Sequence, residues 1–201
     1  MNKNKQTIIK LLGDVIIPLL GYFLWNWSLY FIILFYIIDL FVTEFLVHLK
    51  IKKIKDYSEK ISKKEWVIYG GISFLCLIIL VGMIHLSIKS IHPNIHFFNE
   101  IIAFLSYEEM GLAQGVILLP LIAFMGYTSY KTEFLIPQLF KKIDALQLLK
   151  NRIVMLGFAI IFAGFCVIIA NYTTLSDVSY LISILVVMSA YQLYKVFTLA
   201  P

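Results

Sequence analysis

The sequence predicts an all-α protein, a polytopic integral membrane bundle of six transmembrane helices. Composition is the first reason: 61% of the 201 residues are hydrophobic and 14% are charged, with a mean hydropathy of +0.88. A water-soluble domain of this length cannot bury that much apolar surface. The second reason is that the apolar residues occur in long runs. Because no Gly/Ser-rich or Pro-rich linker interrupts the chain, residues 1–201 are predicted to form one domain.

A helix needs about 20 apolar residues to cross the roughly 30 Å hydrocarbon core of a bilayer. Six runs meet this requirement, at about 7–24, 28–49, 66–88, 112–130, 153–170 and 178–194. The first run lacks a small-residue cleavage site and contains Pro18. We therefore expect a signal anchor that is retained in the mature protein.

The distribution of basic residues predicts the orientation of the bundle. Of the 17 Lys and Arg residues, sixteen fall on one side of the six-span arrangement, including seven in 50–65 and five in 131–152. Cytoplasmic loops of membrane proteins keep positive charge. Both termini and these two loops are therefore predicted to be cytoplasmic. The net charge of +5 is then a topology signal that favours a lipid bilayer and not nucleic acid as the partner.

Two connecting segments have helical periodicity and are predicted to be interfacial helices. In 134–150, apolar residues recur at helical spacing while Gln and Lys fall on the other face, as is typical of a helix lying on a membrane surface. A second and weaker pattern covers 94–109 on the opposite side of the membrane.

The second span contains ionisable residues in an otherwise apolar helix. Asp39 lies at its centre, where an aspartate costs roughly 2.5–3.5 kcal/mol for insertion, whereas Glu44 and His48 lie nearer the cytoplasm. At 100° per residue, Tyr36 and Thr43 share the face of Asp39, and Glu44 and His48 point away from it. A helix with two polar faces is predicted to pack inside the bundle.

The first span offers a neighbour for this helix. It runs in the opposite direction and brings Asp14 to the depth of Glu44, and Pro18 frees the backbone carbonyl of Asp14. We therefore expect Asp14, Glu44 and His48 to converge in a polar pocket for a proton, a cation or water. The alternatives are a set of structural hydrogen bonds between helices, and chance placement. The full candidate set is Asp14, Tyr36, Asp39, Thr43, Glu44 and His48.

The segment IHPNIHFFNE raises the question of a metal site. His92, His96 and Glu100 recur at every fourth residue, and His85 at the end of the third span would supply a fourth ligand for zinc. Pro93 favours a turn, so His92 is expected to precede any helix. The alternatives are solvated interfacial residues and a pH-sensing role.

Residues 13–55 carry a family resemblance. GDVIIPLLG, then WNWS, then Tyr36 and Asp39 in FYIID, and finally LKIKKIK resemble the opening of a bacterial multi-pass membrane family that is known only as a domain of unknown function. In that family a tyrosine is followed three residues later by an acid, and Asp39 takes the acidic position here. The resemblance implies a fold type and a bacterial inner membrane, and it implies no activity.

Three classes of function remain open on the sequence. The first is a non-catalytic scaffold or accessory subunit of a membrane assembly, which binds partner membrane subunits or a second copy of the chain. The second is a small proton- or cation-linked transporter or channel that uses the buried carboxylates. The third is a membrane-embedded metal-dependent enzyme, although the sequence has no Walker loop, GxSxG, HExxH or dinucleotide fingerprint and predicts no catalytic residue or cofactor other than the zinc considered above.

Overall fold

A computed structural model shows an all-α protein in which helices cover most of the described chain. The described residues are 15–58, 61–106, 108–109, 112–173 and 176–186. The helices are α1 (Val15–Leu24), α2 (Leu29–Ser58), α3 (Lys63–Ile91), α4 (Phe97–Ser106), α5 (Gln114–Ser129), α6 (Ala145–Tyr172) and α7 (Asp177–Val186). One antiparallel pair of two-residue strands, β1 (Glu108–Glu109) and β2 (Leu112–Ala113), joins α4 to α5.

Three helices of the described chain, α2, α3 and α6, are long and apolar enough to cross a membrane. They contain 30, 29 and 28 residues, and at 1.5 Å per residue each is more than about 40 Å long, which exceeds the hydrocarbon thickness. Helix α5 has 16 residues and continues as a π-helix over Tyr130–Leu135. Parts of the first and last predicted spans, 7–14 and 187–194, lie outside the described residues.

The contacts between the long helices fix their relative directions. We call the end of the bundle at Leu29 the upper end and the end at Ser58 the lower end. Helix α2 runs from the upper to the lower end, and α3 returns antiparallel to it. Helices α3 and α6 make the most extensive helix–helix interface and run parallel, since Arg152 and Ser73 both bind Glu44 while Gly164 lies against Met83 nearer the upper end.

Buried apolar side chains form three clusters along the bundle. The upper cluster surrounds the first turns of α2, and the middle cluster joins Leu77 and Leu80 of α3 to Leu156 and Ala163 of α6. The lower cluster brings the end of α2 together with the π-helix and the start of α6. Its members are Val47, Ile51, Ile54, Ile61, Tyr130, Phe134, Ala145 and Leu149.

Helix α3 begins in a capping box at the lower end. The backbone N–H of Glu65 donates to the Ser62 hydroxyl at 3.1 Å, and the backbone N–H of Ser62 donates to the Glu65 carboxylate at 2.9 Å. This backbone hydrogen bond, followed by the hydroxyl contact, lowers the pKa of Glu65 below its ordinary value. The hydrogen bonds of this capping box therefore fix the start of α3 at Lys63, two residues after Ile61, which is buried in the lower cluster.

The predicted interfacial helix at 134–150 is wrong as a single helix. The chain breaks after the π-helix, because Pro137 lacks an N–H and cannot donate the next backbone hydrogen bond of a helix. Gln138 then adopts the left-handed conformation with φ 55°. A short 3₁₀ turn, Leu139–Lys141, follows, and Asp144 caps a new helix, α6. The prediction for 94–109 is confirmed as a helix, which covers Phe97–Ser106.

Candidate functional site

Side chains of three long helices meet at Glu44, which is 3% exposed. Its Oε2 accepts a hydrogen bond from Nε of Arg152 at 2.8 Å, and the two side chains form a buried ion pair. Its Oε1 accepts a hydrogen bond from the hydroxyl of Ser73. Nε2 of His48 lies 3.5 Å from the same oxygen, one turn further along α2. Glu44 therefore connects α2 to both α3 and α6.

The position of His48 depends on two residues of α3. The indole N–H of Trp66 donates to Nδ1 of His48 at 3.4 Å. Since an indole nitrogen is only a donor, Nδ1 acts as the acceptor, and the proton of a neutral imidazole then sits on Nε2, facing Glu44. The ring lies against Gly70, where a Cβ atom would be 2.8 Å from Cε1 of His48. Because Gly70 has no side chain, the imidazole of His48 has room to lie against α3.

Arg152 is the side chain that the sequence reasoning missed. It was counted among the basic residues of the 131–152 loop, whereas it is 5% exposed and belongs to α6. Its Nη1 contacts the sulfur of Met155 at 3.5 Å, and Nη2 is buried with no hydrogen-bond partner among the described residues. A signal was present in the sequence, because Arg152 is the single arginine beside sixteen lysines. Arginine is the basic residue whose planar fork suits a buried carboxylate.

The other residues of the candidate set are Asp14, which was expected in the same pocket, and Tyr36, Asp39 and Thr43, which were expected on the other face of α2. Asp14 is outside the described residues. On α2, Tyr36 is buried, while Asp39 and Thr43 are half-buried. Of the three side chains expected to converge, Glu44 and His48 are adjacent, and the partners found for Glu44 on other helices are Ser73 and Arg152.

A second polar region lies at the upper end, around an open cavity of about 660 Å³. Nε2 of His92 and the carboxylate of Asp177 are 2.7 Å apart, so the end of α3 is joined to the start of α7. The hydroxyl of Ser28 donates to the carboxylate of Glu100 at 3.2 Å. Tyr22 and Trp27 contribute aromatic walls to the same cavity.

The four predicted metal ligands have separate surroundings. His85 contacts the Tyr30 hydroxyl at 2.8 Å through Nε2 and a backbone carbonyl of its own helix through Nδ1. His92 contacts Asp177, Glu100 binds Ser28, and His96 is exposed. Within the described ranges no three His, Cys, Asp or Glu side chains are grouped so that they could hold a metal ion. As expected, His92 precedes α4, in the turn after α3.

The described residues form a helical fold in which three helices are long and apolar enough to cross a membrane, and the buried Glu44–Arg152 pair connects two of them. Comparisons with protein-family models, with curated proteins and with solved structures find no match to this chain. The class of the protein therefore rests on its own residues.

Proposed function

We propose that the protein is a non-catalytic, multi-pass integral membrane protein of a bacterial cytoplasmic membrane. In this proposal it crosses the bilayer six times with both termini in the cytoplasm. Its role is that of a scaffold or accessory subunit in a membrane assembly, with other membrane subunits or a second copy of itself as partners.

The observation that carries the proposal is the set of contacts made by Glu44. Both carboxylate oxygens accept hydrogen bonds from side chains of other helices, Ser73 on α3 and Arg152 on α6. Ionisable side chains inside a membrane are stable when they pair with one another inside a bundle. A carboxylate held in this way fixes the relative positions of three helices, which is the property that a scaffold needs.

The exposed apolar surface supports the assembly role. Half of the most apolar stretch of α2 is buried within the chain, against 22% for α3 and 17% for α6. Helix α2 is thus the centre of the bundle, and the outer faces of α3 and α6 are left for lipid or for partner helices. Residues such as Phe74 and Phe158 lie on these faces.

Helix directions support the six-span arrangement. Helix α2 runs downward, α3 runs upward, and α6 runs upward parallel to α3. Because α3 and α6 run in the same direction, the chain between them has to cross the membrane an odd number of times. One downward crossing by α5 and its π-helical extension meets this requirement. The lower end carries Lys52, Lys53, Lys141 and Lys142, which agrees with a cytoplasmic location.

A second candidate, a small proton-linked transporter, is favoured by one specific observation. Nη2 of Arg152 is a buried donor with no partner among the described residues, and it adjoins a carboxylate that faces a histidine. Water at this donor would extend the polar chain from His48 through Glu44. The guanidinium group disfavours a metal cation at the same place because it already neutralises the carboxylate.

Reconstitution into liposomes that contain a pH-sensitive dye separates the two candidates. The scaffold proposal predicts that wild-type protein conducts protons no faster than empty liposomes under an imposed potential. The transporter candidate predicts a flux that is lost in His48→Gln, a variant that retains an acceptor for Trp66 but cannot titrate. A wild-type flux that disappears in this folded variant would overturn the scaffold proposal.

Purification in a mild detergent tests the assembly role directly. Native mass spectrometry should find either a defined multimer of this chain or a partner chain at a fixed stoichiometry. A chain that is monomeric at every concentration and in every mild detergent, without a stoichiometric partner, would contradict the proposed role.

A further inference from the structure

The lower end of the bundle carries a compact basic site beside an aromatic pair. The rings of Tyr57, at the end of α2, and Phe140, in the 3₁₀ turn, meet edge to face with centroids 5.5 Å apart. Nζ of Lys53 lies 5.4 Å from the centroid of Phe140. Nζ of Lys141 lies 5.8 Å from the centroid of Tyr57 and 6.0 Å from that of Phe140. Two ammonium groups are therefore held at one aromatic pair.

A small cavity of about 60 Å³ opens next to this pair. It is lined by Ser58, Phe140, Lys141, Lys142, Ile143 and Asp144. A single water molecule needs roughly 10–15 Å³ of such volume, so the space suits one tetrahedral phosphate group and is too small for a lipid chain. The lining offers the ammonium groups of Lys141 and Lys142, whereas the hydroxyl of Ser58 already donates to the backbone carbonyl of Ile54 at 3.1 Å.

Among the described residues, Asp144 and Asp56 are the carboxylates that oppose the charge of these lysines. Asp144 lines the cavity, and its Oδ1 accepts a hydrogen bond from the backbone N–H of Leu146, so it serves the first turn of α6. Asp56 is exposed and directly precedes Tyr57. The three positive charges of Lys53, Lys141 and Lys142 exceed these two negative charges, so the described part of the site has a net positive charge.

We infer that the lysines at this cavity bind the phosphate of an anionic phospholipid. Basic pockets at the cytoplasmic ends of membrane helices attract anionic headgroups electrostatically. Cation–π contacts hold the side chains of Lys53 and Lys141 at the site before the ligand arrives. Apolar surface is exposed in the same region, since Ile136 is 65% and Tyr57 54% exposed. The acyl chains of a phospholipid can contact this apolar surface, whereas inorganic phosphate cannot. The inference rests on the proposed membrane location of the lower end.

The test uses the full chain in nanodiscs that contain equal amounts of phosphatidylglycerol and phosphatidylcholine. Native mass spectrometry after release should show that the protein retains phosphatidylglycerol in preference to phosphatidylcholine. Each basic residue at an anionic surface strengthens binding about fivefold. The variant Lys53→Gln/Lys141→Gln/Lys142→Gln should therefore reduce the preference at least tenfold, and raising the salt concentration should weaken the wild-type preference.

A matched variant removes the same charge elsewhere. Lys63→Gln/Lys64→Gln/Lys131→Gln changes three exposed lysines that do not line the cavity, and it should retain the wild-type preference within about twofold. Equal losses in the two triple variants would mean that diffuse charge attracts the lipid, and the inference would be wrong. Displacement of phosphatidylglycerol by millimolar inorganic phosphate would also overturn it in favour of a free-phosphate site.

Failure of this inference is distinguishable from failure of the proposed topology. Both leaflets of a nanodisc have the same composition and are open to solution, so lipid retention does not depend on which end of the bundle faces the cytoplasm. An inverted orientation in cells would leave the nanodisc result unchanged.

Discussion

We expect the ion pair between Glu44 and Arg152 to affect stability more when one partner is removed than when both are replaced by apolar residues. Both side chains are at most 5% exposed, so removal of one partner leaves the other charge buried and uncompensated. Breaking such a pair typically destabilises a protein by about 3–5 kcal/mol, whereas apolar substitution of both partners is often neutral or better. The two kinds of change therefore distinguish a structural pair from a surface contact.

Glu44→Gln should lower the free energy of unfolding in mixed micelles by about 3 kcal/mol or more, because Arg152 keeps its charge and loses its counter-ion. The double variant Glu44→Met/Arg152→Met should recover most of this loss. Glu133→Gln, at an exposed position, is the control and should stay within about 0.5 kcal/mol of wild type. A Glu44→Gln variant that matches the control would contradict the structure at this site.

Gly70 provides a second test at the residue scale. Gly70→Ala places a methyl group 2.8 Å from Cε1 of His48 and should destabilise the protein by about 1–3 kcal/mol by displacing the ring. Gly71→Ala is a matched control in the same helix, since nothing lies within 4 Å of its Cβ position. The control should be neutral or more stable, because alanine favours a helix by about 1 kcal/mol over glycine. Equal effects of the two substitutions on unfolding would show that His48 does not lie against α3.

At the scale of elements, composition and long apolar runs were sufficient to predict α2, α3 and α6, because a long apolar helix leaves a strong signal in the sequence. The break between α5 and α6 was missed because apolar residues in 134–150 continue at helical spacing on both sides of it. Pro137 was the local signal, and it outweighs that periodicity. Arg152 was misplaced for a related reason, since a basic residue next to a loop resembles a topology signal until its contact with Glu44 is known.

Two glutamines near this break give opposite predictions. Gln138 has φ 55°, so Gln138→Gly should stabilise the protein by about 1 kcal/mol through relief of the left-handed conformation. Gln147 lies in the first turns of α6, and Gln147→Gly should destabilise it by about 1 kcal/mol. Chemical unfolding in micelles measures both. If both substitutions destabilise the protein, a continuous helix over 134–150 is the better description.

At the scale of the whole molecule, the lysines are concentrated at the lower end and the His92–Asp177 contact lies at the upper end. Glu44 is the sixteenth of the 30 residues of α2, so Glu44 and the side chains that bind it lie close to the middle of this helix. The apolar class of the protein was predictable from composition. The partners of Glu44 were not predictable, because residues 44, 73 and 152 are far apart in sequence. Apolar periodicity does not indicate which residues of neighbouring helices lie at the same height.

The central claim is that the three long helices cross a membrane with the lower end in the cytoplasm. Replacement of Cys76 and Cys166 by alanine gives a background into which Asp56→Cys, at the lower end, or His96→Cys, at the upper end, is introduced; both positions are exposed. A membrane-impermeant maleimide added to intact cells should label His96→Cys at once and Asp56→Cys only after permeabilisation. Labelling of Asp56→Cys in intact cells, with His96→Cys protected, would contradict the account.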